Sequence, residues 1–338
     1  MKRLCFLAVL SAAALLIIVL LVYTAEFPNK HKNGFNRWYQ SGNPVLLATT
    51  STDGIIQDIA GATATQFFFS TGDPGKIVTT THLLQNKRLH DIHVDKKQDI
   101  DLYFFTAVDS PAVYIYAYNL PAIITADFNT GSSTYRQLSP GAYSNAQALG
   151  NNIFILRKLS TTIPDQFFVK VTTDTLESES ELSDLHYDGG MTTDGILHYD
   201  PSTRLLTFVH YYNNEYSSFT TALHAAGKGH TIDTFTHFRF QLSEKQHVFS
   251  SQGPDHMINA ASCVYKGKLY VRSTLKADND DNSRYRHNIV IDVYEISTGK
   301  YNGSFYLPAD PKEKINKLFI YEDILLMHSK DLIYAYQL

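Results

Sequence analysis

Cysteine and tryptophan are scarce: the 338-residue chain holds two of the former and one of the latter. Two cysteines exclude a disulfide scaffold and a four-thiolate metal centre. An excess of positive charge is also missing. The 29 Lys and Arg against 33 Asp and Glu leave a net charge of -4, which excludes a strongly basic nucleic-acid-binding body, so no nucleic-acid partner is expected. Charged residues amount to only 18% against 44% hydrophobic, too apolar a balance for a disordered chain. Catalytic signatures are absent as well. There is no nucleophile elbow and no HExxH, and neither DPGK (73–76) nor GKGH (227–230) fits a phosphate-binding loop. The acidic run KADNDDN (276–282) lacks the ligand spacing and the Glu of a calcium loop. No cofactor is expected, and whether the chain is an enzyme stays open.

What is present starts with Lys2 and Arg3, followed by a run from Leu4 to Tyr23 without a charged residue. Twenty residues of helix rise about 30 Å, the thickness of the bilayer hydrocarbon. The expectation is a cytoplasmic stub at 1–3, a transmembrane helix at 4–23 and a body outside the cytoplasm. A cleaved signal peptide is the alternative, but the run is long for one and no small-x-small site follows. Residues 24–43 read as a polar juxtamembrane linker. In it, Phe35, Trp38 and Tyr39 either sit at the lipid interface or pack against the edge of the domain.

From 44 to 338 no long stretch shows a 3.6-residue hydrophobic period. Short runs rich in Val, Ile, Tyr, Phe and Thr recur between polar turns. The clearest cores begin at Phe67, Leu102, Ile153, Leu205, Leu269 and Ile324, with a mean spacing of about 51 residues. Turn chemistry separates them: Asp109-Ser110-Pro111, Asp200-Pro201-Ser202 and Glu322-Asp323 among others. Alternating aromatics such as Tyr114, Tyr116 and Tyr118 lie on one strand face, suited to packing between stacked sheets.

This repetition resembles the six-bladed β-propeller family of extracytoplasmic proteins. The likeness rests on pattern over 44–338, not on a motif: there is no WD dipeptide, and a single Trp departs from the Trp-rich quinone-dehydrogenase propellers. It implies an all-β fold of six blades, or seven if 219–262 hides a further one, with Val45–Thr49 completing the last blade and closing the ring.

Fourteen histidines suggest metal binding first at LHDIHVD, where His93, Asp91 and Asp95 share a strand face and His90 turns away. A polar strand or surface turn explains the same residues. The second group is His198, His210, Lys228, His230, Asp233 and His237, with Asp194 and Glu215 nearby; the ring is expected to bring His198, His210 and His230 to a central channel, and ordinary packing is the alternative. Arg284, Arg286 and His287 fall on a polar insertion suited to an anionic partner or glycan, or simply to solvent. Glu177, Glu179 and Glu181 read as a solvent-facing stretch, and Cys263 as a buried strand residue.

The resulting expectation is a single-pass membrane protein whose extracytoplasmic propeller binds an envelope protein or glycan, as a scaffold or sensor. A propeller hydrolase or lyase acting on a glycan or small molecule is the alternative, resting on analogy of fold.

Overall fold

The computed structural model describes residues 2–26, 32–101, 104–118, 120–172, 178–180, 182, 186–236, 240–242, 249–251 and 257–338. Helix α1 (Lys2–Glu26) comes first. Strand β1 (Val45–Ser51) opens the body and is followed by a four-stranded antiparallel blade of β2 (Ile56–Ala62), β3 (Phe67–Thr71), β4 (Lys76–Thr80) and β5 (Arg88–Asp91). The second blade is β6 (Phe104–Asp109), β7 (Ala112–Ala117), β8 (Ala122–Asp127) and β9 (Ser133–Gln137). The third is β10 (Tyr143–Ala148), β11 (Phe154–Leu159), β12 (Gln166–Val171) and β13 (Ser178–Ser180). The fourth is β14 (Gly195–Asp200), β15 (Leu205–His210), β16 (Glu215–Thr220) and β17 (Ala225–His230).

A separate hairpin, β18 (Phe240–Leu242) with β19 (Phe249–Ser251), stands where the sequence left room for a seventh blade. Residues 237–239, 243–248 and 252–256 around it lie outside the described residues. The fifth blade is β20 (Asn259–Tyr265), β21 (Lys268–Ser273), β22 (Asn288–Glu295) and β23 (Tyr301–Pro308), with the short helix α2 (Asn282–His287) inserted between β21 and β22. The sixth unit is β24 (Ile315–Tyr321), β25 (Ile324–Ser329) and β26 (Leu332–Gln337), and its fourth strand is β1. Closure of the ring by the first strand of the body is therefore observed.

The local reasons are plain in the second strand of each blade. Phe67–Thr71 is buried throughout, and Val113–Ala117 and Leu206–His210 are buried as well. These strands have partners on both edges and neighbouring sheets on both faces, so β-branched and aromatic residues fill them without alternation. First strands alternate instead, as in the Phe104–Asp109 and Ile315–Tyr321 patterns, because one face looks toward the middle of the ring. Outer strands such as Ala225–His230 are largely exposed.

Core clusters lie between successive blades. Tyr116 and Ile123 meet Phe154 and Leu156, Phe168 meets Phe208, Val209 meets Leu269, Ile291 meets Leu318, and Ile59 meets Leu326. Between the first two blades the approach is close enough for Gly61 to bridge Val108, where an added Cβ would stand 2.2 Å from the Val108 carbonyl oxygen.

One outer strand breaks the rule. Residues 303–307 of β23 are buried because the segment after α1 lies on them. The Arg37 guanidinium, itself buried, bonds Asp292 through Nε (2.8 Å) and Asp280 through a terminal nitrogen (2.8 Å). Tyr39 stacks on Tyr306 with ring centroids 4.4 Å apart and donates to Asp280, while Phe35 joins Ile258, Leu275 and Ala277 in a small core. Of the two roles open to this segment, packing at the domain edge is what Phe35, Arg37 and Tyr39 do; Trp38 stays exposed.

Among the described residues no helix is long and apolar enough to cross a membrane. In α1 the described side chains are Arg3, Phe6 and residues 10–21, and all of them are exposed. Helix α1 covers the stretch expected to span, 4–23, without its described part reaching the length and apolarity of a membrane-crossing helix. Among the described residues no three His, Cys, Asp or Glu are grouped to hold a metal ion. At 91–95 only His93 and Asp95 approach each other, 3.3 Å apart on the exposed surface, which corrects the expectation of a metal group with Asp91. Glu177 and Glu181 lie outside the described residues.

Three substitutions test this account. Gly61→Ala forces the first two blades apart and is expected to cost about 1–3 kcal/mol, seen as a lower midpoint in thermal or urea melts. Arg37→Ala strands two buried carboxylates and is expected to cost about 3–5 kcal/mol. Lys87→Ala, which removes an exposed 2.6 Å pair with Asp53, is expected to change stability by less than about 1 kcal/mol.

Candidate functional site

First strands of neighbouring blades stand side by side around the ring, and polar side chains tie them together. Asn145 on β10 donates to the Gly195 carbonyl (3.2 Å) and accepts from the Leu197 amide (3.1 Å) on β14. His198 on β14 meets the Ser262 hydroxyl on β20 through Nε2 at 2.7 Å. Lys317 on β24 donates to the Ile59 carbonyl on β2 (2.7 Å) and lies 3.9 Å from the Asp58 carboxylate. Asp58 also meets His328 Nδ1 at 3.1 Å, and Asn316 stands 3.3 Å from the other ring nitrogen of His328. These groups span five of the six described blades and form the polar centre of the ring.

The chemistry available there is set by protonation. Burial, with the Lys317 ammonium adding to it, pushes the His198 imidazole down to about 3. At neutral pH it is uncharged and holds a proton weakly, which makes it a poor general base for Ser262, since a base works best with a pKa near the operating pH. Cys263, one residue along the same strand, is buried, and burial pushes its thiol up, away from the reactive thiolate.

The residues singled out from sequence do not converge. Of the six, His198 alone among the described residues lies on a first strand. His210 ends the second strand of the same blade, buried with its ring edge-on to Phe208 at 5.2 Å. Lys228 and His230 are on the exposed outermost strand, so the expectation that His230 lines the channel is corrected: β-pairing carries it to the rim of its blade. Asp233 is buried, accepting from the Thr231 hydroxyl and the Phe235 amide, and burial raises its carboxyl. His237 lies outside the described residues. Asp194 pairs with Arg157 at 3.0 Å. Arg157 is fully buried, bonds Thr193 and the Gly190 carbonyl, and lies over the Phe208 ring, fastening the 190–194 loop.

Sequence reading missed Asp58, Asn145, Ser262, Lys317 and His328. All but His328 occupy a first strand, and a blade-by-blade alignment of strands is the one signal that would have drawn them together.

No protein-family model and no curated protein matches the chain. Solved structures do. The selenomethionine-substituted virginiamycin B lyase of Staphylococcus aureus covers 86% of this chain and 98% of its own at 10% identity, with a TM-score of 0.50. A member of the DUF4221 family from Bacteroides vulgatus covers 90% and 98%, at 10% identity and a TM-score of 0.50. At such identities the likeness speaks for fold alone, and the fold is an all-β propeller.

The low pKa of His198 has a consequence for acid stability. An unfolded histidine gains its proton near 6.5 and the folded one only near 3, so the unfolded state binds more protons between these values. Stability from this site is present above pH 6.5 and falls as pH drops toward 3, by up to about 1.4 kcal/mol per pH unit. His198→Gln is expected to flatten that part of a urea-denaturation profile against pH.

Proposed function

We propose that the chain is a membrane-anchored, extracytoplasmic, six-bladed propeller that binds a partner at the cell envelope, as a scaffold or sensory module. The observation that carries the binding reading is the state of the ring centre. Its polar groups are spent on one another across blades, and its Ser–His contact has an imidazole too weakly basic to activate the hydroxyl. A closed, rigid ring with such a centre offers its surfaces and loops for recognition.

Anchoring is supported by α1. Its 25 residues rise about 37 Å, and the described apolar side chains Phe6, Leu10 and Leu15–Leu21 are all exposed. Apolar surface of that extent calls for a cover, and lipid is the cover that the uncharged run from Leu4 to Tyr23 fits. Lys2 and Arg3 favour a cytoplasmic N-terminus and a body on the far side.

A hydrolase or lyase is the second reading, favoured by the 2.7 Å contact between Ser262 and His198. It requires that a bound substrate raise the imidazole pKa, and Ser262→Ala would then abolish turnover without altering ligand binding.

The anchoring is tested in cells. The full-length protein is expected to stay with membranes through a carbonate wash. A Ser132→Cys variant, with the new thiol on an exposed loop, is expected to react with a membrane-impermeant maleimide in intact cells or spheroplasts. Release by carbonate would overturn the anchor, and labelling only after lysis would overturn the orientation.

A further inference from the structure

A cavity of about 750 Å³ opens beside the fifth and sixth blades, between the α2 insertion and the 311–313 segment. That volume is in the range of small-molecule sites. Tyr285, Ile289, Val290 and Pro311 give it an apolar wall; Arg272, Arg286 and Lys312 bring three cations and Glu313 one carboxylate.

Arg272 is the unusual member. It sits on β21 with 8% of its surface exposed, and among the described residues it makes no ion pair. One terminal nitrogen donates to the Pro311 carbonyl at 2.9 Å, while Nε is buried with no partner. The other buried arginines have counter-charges: Arg37 has two carboxylates, and Arg157, whose Nε is likewise without a partner, has Asp194. Burial lowers the Arg272 guanidinium from its ordinary value, with Tyr285 opposing. A buried guanidinium short of both a counter-charge and a hydrogen-bond acceptor is costly, and a bound anion removes both deficits.

The remaining polar groups do not fill the role. Glu313 accepts from the Ser329 hydroxyl (2.8 Å), the Tyr285 hydroxyl donates to the Thr274 carbonyl (2.7 Å), and Asn288 donates to the Arg284 carbonyl (2.8 Å). Arg286 and Lys312 are exposed at the rim, where they draw in negative charge.

We propose that this cavity is a binding site for a small organic anion, whose carboxylate or phosphate pairs with Arg272 while its body lies against Tyr285, Ile289 and Pro311. A planar guanidinium takes either group. The site is independent of the anchoring reading, since a propeller free of the membrane would carry it unchanged.

The test is calorimetric titration of the full-length protein in mild detergent with citrate, glucuronate and glucose 6-phosphate, with glucose as the neutral control. Saturable binding of at least one anion, absent for glucose and weakened by added salt, is expected; glucuronate or citrate would assign a carboxylate, glucose 6-phosphate a phosphate. Arg272→Met should weaken it about tenfold or more, and Arg286→Ala and Lys312→Ala about two- to fivefold each. If the Met variant melts early, the Arg286→Ala/Lys312→Ala pair, both on the surface, gives the reading instead. No anion bound at millimolar concentration, equal binding of glucose, or anion binding indifferent to all three substitutions would overturn the site.

Discussion

The pairing of Val45–Ser51 with Leu332–Gln337 is the contact on which the rest of the body depends. A twisted sheet has two faces to bury and two edges to satisfy, and a row of blades leaves a face bare at each end. Joining the first strand of the body to the last blade turns the row into a ring. Ile59, Phe67 and Phe69 of the first blade then pack against Leu326 and Ile333 of the last, as each earlier pair of blades packs together. Without that seam the cluster would face water, and Ile59, Phe67, Phe69, Leu326 and Ile333 are all fully buried.

Ring closure also determines what the centre holds. First strands that are far apart in sequence become neighbours, so Asp58 lies beside Lys317 and His328, and His198 beside Ser262. Polar groups placed there must find partners within the ring, because burial without partners is costly. Burial beside the Lys317 ammonium keeps His198 neutral, and the mutual bonding of the centre's groups leaves it poor as a catalytic apparatus.

The α2 insertion in the fifth blade serves two sides of the molecule. Asp280 on its approach holds Arg37 and Tyr39 from the segment that follows α1. Tyr285 and Arg286 within it wall the cavity that contains Arg272. Arg284 lies over Tyr306, the ring on which Tyr39 stacks. The segment leaving the helix and the cavity therefore share one short support of a few polar residues.

The strand-rich body, its start near residue 44 and its repeating unit were legible in the sequence, because second strands are covered on both faces and must be apolar throughout. Five of the six apolar cores lie on or at the start of those second strands; of the sixth, at 102–105, the described residues Phe104 and Phe105 open a first strand. The turn at Glu322, a residue with positive φ, marked a strand end correctly. The site was not legible. Histidines close in sequence, His198, His210 and His230, were dispersed to the first, second and outermost strands of one blade, since antiparallel pairing carries the chain outward from the centre. Tertiary structure alone decided that Asn145 reaches Gly195 and Leu197, that His198 meets Ser262 and Lys317 lies by Asp58, that Arg37 finds Asp280 and Asp292 some 240 residues or more away, and that Arg272 finds no carboxylate among the described residues. Sequence patterns record how much of each strand is covered; which side chain stands opposite which is decided by ring geometry, to which local propensity is blind.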